Sequence, residues 1–165
     1  MSLADIKALP VAASAAKDCV LLMWAVDPMI PEALAVGASW GFKFKTVGLV
    51  WVKERRATST RGSAFADPDE QRFPMGTGYW TRANPELCLL FTRGHPKRLS
   101  ANVRKLMIAA RREHSRKPDE QYDRIARLVD GPYLELFARK QRKNWRVAGN
   151  ETDKFESAQV SLFDD

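Results

Sequence analysis

Three stretches of this chain are apolar almost without interruption, each of strand length: Cys19-Val-Leu-Leu-Met-Trp-Ala25, Thr46-Val-Gly-Leu-Val-Trp-Val-Lys53 and Glu86-Leu-Cys-Leu-Leu-Phe-Thr92. A strand apolar on both faces is covered on both, so the pattern predicts the buried strands of an α/β sheet. Between the first two, Pro31 and Glu32 suit a helix's first turn, Ala33, Leu34, Val36 and Ala38 sustain it, and Gly41 fits its C-terminal cap. Strand, helix and strand read as a βαβ unit. Upstream, Ser2 and Asp5 have capping-box spacing, which predicts a short opening helix with Ala4, Ile6 and Leu9 toward a core and a stop at Pro10. Downstream, Tyr122, Ile125, Ala126 and Val129 recur at i, i+3, i+4, i+7 behind Pro118, Asp119 and Glu120, the best-defined helix of the chain, ended by Asp130-Gly131-Pro132. Tyr133-Leu-Glu-Leu-Phe-Ala138 predicts a fourth strand.

From Glu54 to Gly78 the residues are mostly Arg, Ser, Thr, Gly, Asp and Pro, too polar to pack and long for an ordinary connection. A functional or mobile loop is expected at 54–76, and a polar tail at 152–165.

At 165 residues the chain fits one domain. Its 27 Lys and Arg against 20 Asp and Glu give a net charge of +7, which favours polyanionic partners, nucleic acid first. Residues 1–50 are balanced, with Lys7, Lys17, Lys43 and Lys45 against Asp5, Asp18, Asp27 and Glu32. Between Arg93 and Lys117, however, nine basic residues (Arg93, Lys97, Arg98, Arg104, Lys105, Arg111, Arg112, Arg116, Lys117) face Glu113 alone. Phosphate contacts from this stretch would give salt-sensitive, sequence-independent affinity; a solvated cationic face without a ligand is the alternative. Cys19 and Cys88 lie inside apolar runs, where a thiol behaves as a small hydrophobe, and no disulfide framework is readable. His95 and His114 lack neighbours at ligand spacing, so no metal is expected. No stretch reaches the roughly 18 apolar residues of a membrane span, and a cytoplasmic location is the expectation.

Gly76-Thr-Gly-Tyr-Trp-Thr-Arg-Ala-Asn84 sets Tyr79 and Trp80 just before a buried strand. They are placed to stack on a base taken out of its helix, or else to lie in the core under a loop. Asn144-Trp145 and Gly149-Asn150-Glu151 follow the last strand, where open α/β sheets bind ligands, although a capping turn has the same composition. No dinucleotide fingerprint, Walker loop or nucleophile elbow occurs.

In order and spacing, Gly78-Tyr-Trp-Thr-Arg-Ala-Asn-Pro-Glu-Leu-Cys-Leu-Leu90, Arg112-Glu-His-Ser-Arg-Lys-Pro-Asp-Glu-Gln-Tyr122, Leu134-Glu-Leu-Phe-Ala-Arg139, Asn144-Trp145 and Gly149-Asn150-Glu151 carry a family likeness. Over roughly residues 1–151 the chain resembles the adenine N6-methyltransferases named for the eukaryotic messenger-RNA adenosine methyltransferase, in their bacterial and bacteriophage branch. The resemblance implies a Rossmann-like α/β methyltransferase fold and transfer of the methyl group of S-adenosylmethionine to the exocyclic amine of adenine, in DNA first and RNA second. It places Lys117, Arg139, Gln141, Asn150 and Glu151 at the cofactor. Gln141 stands where the eukaryotic pattern has His, and Glu151 where it has Gln. It places Tyr79, Trp80 and the loop residues Arg111, Arg112, His114, Ser115 and Arg116 against nucleic acid.

The family's Asp-Pro-Pro-aromatic motif, whose acceptors hold the target amine, is absent from the 165 residues. Asp27-Pro28-Met29-Ile30 looks like a remnant, but the elements after it match a segment one strand later in the family. No catalytic residue is assigned. An N-terminally truncated fold is therefore expected, either as an inactive fragment, as a non-catalytic nucleic-acid-binding partner that forms a homodimer or a heterodimer with a complete paralogue, or as a protein active through complementation or Asp27.

Overall fold

The computed structural model describes residues 1–55, 72–113 and 115–154. The chain divides into two compact units, Met1–Val129 and Asp130–Asp165. In the first, helix α1 (Leu3–Ala8) opens on the expected capping box: Ser2 Oγ accepts the Asp5 N–H at 3.2 Å and Asp5 Oδ2 accepts the Ser2 N–H at 2.8 Å. Ala4 is exposed and Ile6 and Leu9 are half-buried. Pro10 ends α1 and sits at the start of a second short helix, α2 (Val11–Ser14). Strand β1 (Cys19–Ala25) leads through a single 3-10 turn at Asp27–Met29 into α3 (Ile30–Ser39). Gly41, at φ 83°, takes the left-handed conformation that closes α3.

β2 (Lys43–Glu54), β3 (Glu86–Arg93) and β4 (Leu106–Ala110) complete one mixed sheet in the order β1-β3-β2-β4. β3 runs antiparallel to both of its neighbours, and β2 and β4 are parallel. This corrects the simple βαβ reading: β1 and β2 point the same way but are not neighbours, because β3 inserts between them. Although Leu106 and Ile108 of β4 stay exposed, helices pack on both faces. On one, Leu49, Trp51, Cys88 and Met107 form a buried cluster against Leu22, Trp24, Ala109 and Ile125 of the last helix of this unit, α4 (Glu120–Leu128). Side chains alternate along a strand, so Phe91 faces away from Cys88. There Gly37 of α3 packs directly on the Phe91 ring, leaving no room for a Cβ.

α4 begins at Glu120, two residues past Pro118, and of its expected apolar stripe Ala126 is exposed. β4 lies inside the basic stretch and was not expected as a strand. Arg124 of α4 closes its flank, donating to the carbonyls of Arg104 and Leu106, the latter at 2.8 Å.

In the second unit, β5 (Tyr133–Leu136) pairs in parallel with β6 (Trp145–Ala148). The expected strand to Ala138 stops at Leu136, because Phe137 turns into positive φ at 58°. Tyr133 and Trp145 stack with ring centroids 4.6 Å apart. Of the expected 54–76 loop, 56–71 lie outside the described residues; at its base the Arg55 N–H donates to Arg72 O at 2.9 Å and Arg72 pairs with Glu54 at 2.8 Å. Of the expected tail, 155–165 also lie outside. Among the described residues no helix is long and apolar enough to cross a membrane.

Candidate ligand-binding site

β1, β2 and β4 end on the same edge of the sheet, where antiparallel β3 begins with Glu86. This is the edge at which α/β sheets hold ligands. Lys117, in the turn before α4, reaches it: its ammonium is paired with Glu86 Oε2 and lies 5.5 Å from the Trp24 ring centroid and 5.9 Å from that of Trp51. The other carboxylate oxygen, Oε1, holds Lys53 at 2.9 Å. Burial pushes the Glu86 carboxyl up, but the two ammonium groups beside it overcome that and hold it below the usual carboxylate range.

The surrounding bonds fix these groups. Trp24 Nε1 donates to Oε1 of Gln121, a side chain only 7% exposed, at 2.8 Å. Trp51 Nε1 donates to Ala109 O at 2.9 Å. The Lys117 carbonyl accepts from Arg112 at 2.6 Å, and Arg112 pairs with Asp119 at 2.6 Å. Asn84 ties its segment to β2, accepting the Lys53 N–H and donating to the Lys53 carbonyl, both at 2.9 Å, and donating to Pro74 O at 2.8 Å.

Tyr79 and Trp80, in the segment that Asn84 anchors, are 77% and 96% exposed, and Trp80 has φ 71°. They do not lie in the core under a loop. Arg111 and Ser115 are exposed, Ser115 at φ 63°. Arg112 and Arg116 are half-buried and engaged with acids of their own turn: Arg116 bonds both Glu113 oxygens at 3.2 Å and lies 4.0 Å from Asp119. His114 lies outside the described residues.

In the second unit Arg139 Nε meets Glu151 Oε2 at 2.9 Å, and Glu151 Oε1 meets Lys154 at 2.5 Å. The Lys154 hydrogen bond foremost, with Arg139, holds the Glu151 carboxyl below its ordinary range. Gln141 and Asn150 are exposed. Gly149 passes close over Ala138, where a Cβ would stand 2.9 Å from the Ala138 carbonyl oxygen.

Sequence reasoning missed Lys53, Glu86, Trp24, Trp51 and Gln121 as site residues. The readable signal was a charged residue closing or opening an otherwise apolar strand, at Lys53 and Glu86.

The mixed α/β sheet with helices packed on it is Rossmann-like, and the comparisons specify it further. The MT-A70 family model matches residues 1–151, and the chain belongs to that family. It is 30% identical over 154 residues to the Type II methyltransferase M.MunI of Mycoplasma sp, covering 92% of this chain and 58% of that protein. It is 36% identical over 140 residues to the human N(6)-adenosine-methyltransferase catalytic subunit METTL3, covering 82% of this chain and 22% of that protein. A relative from Arabidopsis thaliana, N(6)-adenosine-methyltransferase MT-A70-like, is 27% identical over 138 residues, 81% of this chain and 18% of that protein. The chain thus spans little more than half the length of the Mycoplasma relative and about a fifth of the other two.

Proposed function

We propose that this chain supplies donor binding and nucleic-acid contact for methylation of the N6 amine of adenine in DNA, with RNA as the second substrate class. The observation that carries the reading is the Lys117 ammonium, held by Glu86 at the edge where β1, β2 and β4 end.

Each unit carries groups suited by their chemistry to S-adenosylmethionine, which when bound supplies the methyl group. Lys117 is a fixed cation for the donor's carboxylate, and an ammonium has donors left after one is given to Glu86. Arg139 orders Glu151, and Asn150 and Glu151 offer a carbonyl, an amide and a carboxylate to ribose hydroxyls, with Gln141 nearby in sequence. Tyr79 and Trp80 present ring faces to solvent and are assigned to stack on nucleic-acid bases. Arg111, His114, Ser115 and Arg116 are assigned to the phosphate backbone, while Arg112 braces the Lys117 turn. The family match over residues 1–151 supports reading that span as methyltransferase-like and 152–165 as a tail. With no Asp-Pro-Pro-aromatic motif in the sequence, no residue here is assigned to hold the target amine. The exposed rings of Tyr79 and Trp80 also fit a second reading, a nucleic-acid-binding partner of a complete enzyme.

Isothermal titration with S-adenosylmethionine tests the proposal on the wild-type chain and a Lys117→Ala, Arg139→Ala double variant. Binding in the range of about 1–100 μM, lost in the variant, is expected. A folded wild-type chain that takes up no donor overturns the first reading and leaves the second.

A further inference from the structure

Glu86 is shared between two lysines that come from different elements, Lys53 from β2 and Lys117 from the turn before α4. Lys53 is as firmly held as a site residue, with its backbone N–H and carbonyl both bonded to the Asn84 amide and its ammonium 5.7 Å from the Trp51 ring centroid. We infer that Lys53 is a positioning residue that acts on Lys117 through Glu86 and so sets how Lys117 presents its charge and remaining N–H donors to an anionic group. The inference rests on the assignment of Lys117 to donor binding.

Charge gives the reason. A carboxylate facing one ammonium makes a neutral pair, and Lys117 would then meet an incoming carboxylate with its charge already cancelled. Two ammonium groups around one carboxylate leave one positive charge over, and the shared carboxylate pulls less strongly on each lysine. Screening is weak because the three side chains are only 19–23% exposed. Of the elements around Glu86, β1 contributes Trp24 and α4 contributes Gln121, both uncharged, and β4 is apolar throughout. On β3 itself Cys88 feels the Lys117 charge but remains a neutral thiol. Lys53 and Lys117 therefore balance Glu86 between them.

The test labels the protein with 15N-lysine and follows the ammonium resonances by NMR from neutral to acid pH in the wild type, Lys53→Met, Lys53→Arg and Glu86→Gln. Without ligand, the Lys53 and Lys117 signals should move together at one acid midpoint, that of Glu86. In Lys53→Met the Lys117 midpoint should rise, in Lys53→Arg it should stay near wild type, and in Glu86→Gln it should vanish. In parallel titrations with S-adenosylmethionine, Lys53→Met should bind about tenfold more weakly, the scale of one charge-assisted hydrogen bond, and Lys53→Arg should recover most of the loss. A Lys117 midpoint indifferent to Lys53→Met, or unchanged donor affinity in that variant, overturns the inference. Should the wild type bind no donor, the assignment of Lys117 fails by itself, and the ligand-free midpoints still decide whether Lys53 governs Lys117.

Discussion

Removing the Trp80 indole is expected to leave the melting temperature unchanged, since the side chain is 96% exposed, while weakening affinity for single-stranded DNA. One stacked base contributes roughly 1–3 kcal/mol, so Trp80→Ala should bind about 5- to 150-fold more weakly in fluorescence anisotropy. Equal affinity would remove Trp80 from the nucleic-acid surface. Cys88 behaves oppositely: burial pushes its thiol up to about 12, the Lys117 charge opposing this only in part. Iodoacetamide at pH 8 should leave it unmodified in the folded protein and alkylate it in urea. For Glu86 the sign follows from a folded pKa below the ordinary value of 4.5. Its contribution to stability is fully present above that value and is lost as pH falls through the lower, folded one. Glu86→Gln should therefore flatten the acid side of the stability curve measured by urea denaturation below about pH 4.5; an unchanged slope would show that the pairing is not felt in folding. Lys117, Arg139 and Glu151 were expected from the sequence because ordered motifs surround them. Lys53 and Glu86 were not, since an ion pair between residues 33 positions apart is invisible without the register that sets Trp51 opposite Glu86.

Among the elements, β4 shows where sequence pattern runs out. Leu106-Met-Ile-Ala-Ala110 is only five residues long and is flanked by Arg104-Lys105 and Arg111-Arg112, so the charges dominate any window around it. Its strand character comes from parallel pairing with β2 and from Met107, which is completely buried. Met107→Ala should cost about 2–5 kcal/mol in chemical denaturation, the range for truncating a buried side chain. A loss below about 1 kcal/mol would mean that β4 is peripheral to the core. β3 was recognised as a strand, but its direction was not. An apolar run covered on both faces looks the same whether parallel or antiparallel, and only the sheet order settles which. The opening capping box and the glycine closing α3 were legible because each is a local bond or a local backbone angle.

For the whole molecule, the net charge of +7 is concentrated where Lys97, Arg98, Arg104 and Lys105 are exposed. Binding to duplex DNA should weaken steeply with salt, and Lys97→Ala with Arg98→Ala should reduce the log–log slope by about 0.9 for each phosphate that is no longer neutralised. A slope unaffected by the double change would place the DNA-binding face elsewhere on the surface.

The position of β3 also orders events during synthesis. β1 and β2 both pair with β3 and not with one another, and β4 pairs with β2. No rung of this sheet can form until residue 86 has emerged from the ribosome, so the apolar runs at 19–25 and 47–52 wait in the nascent chain without a strand to join them. At about 5–20 residues per second that wait lasts seconds, and over that interval the growing polypeptide depends on whatever shields exposed hydrophobic segments in the cell.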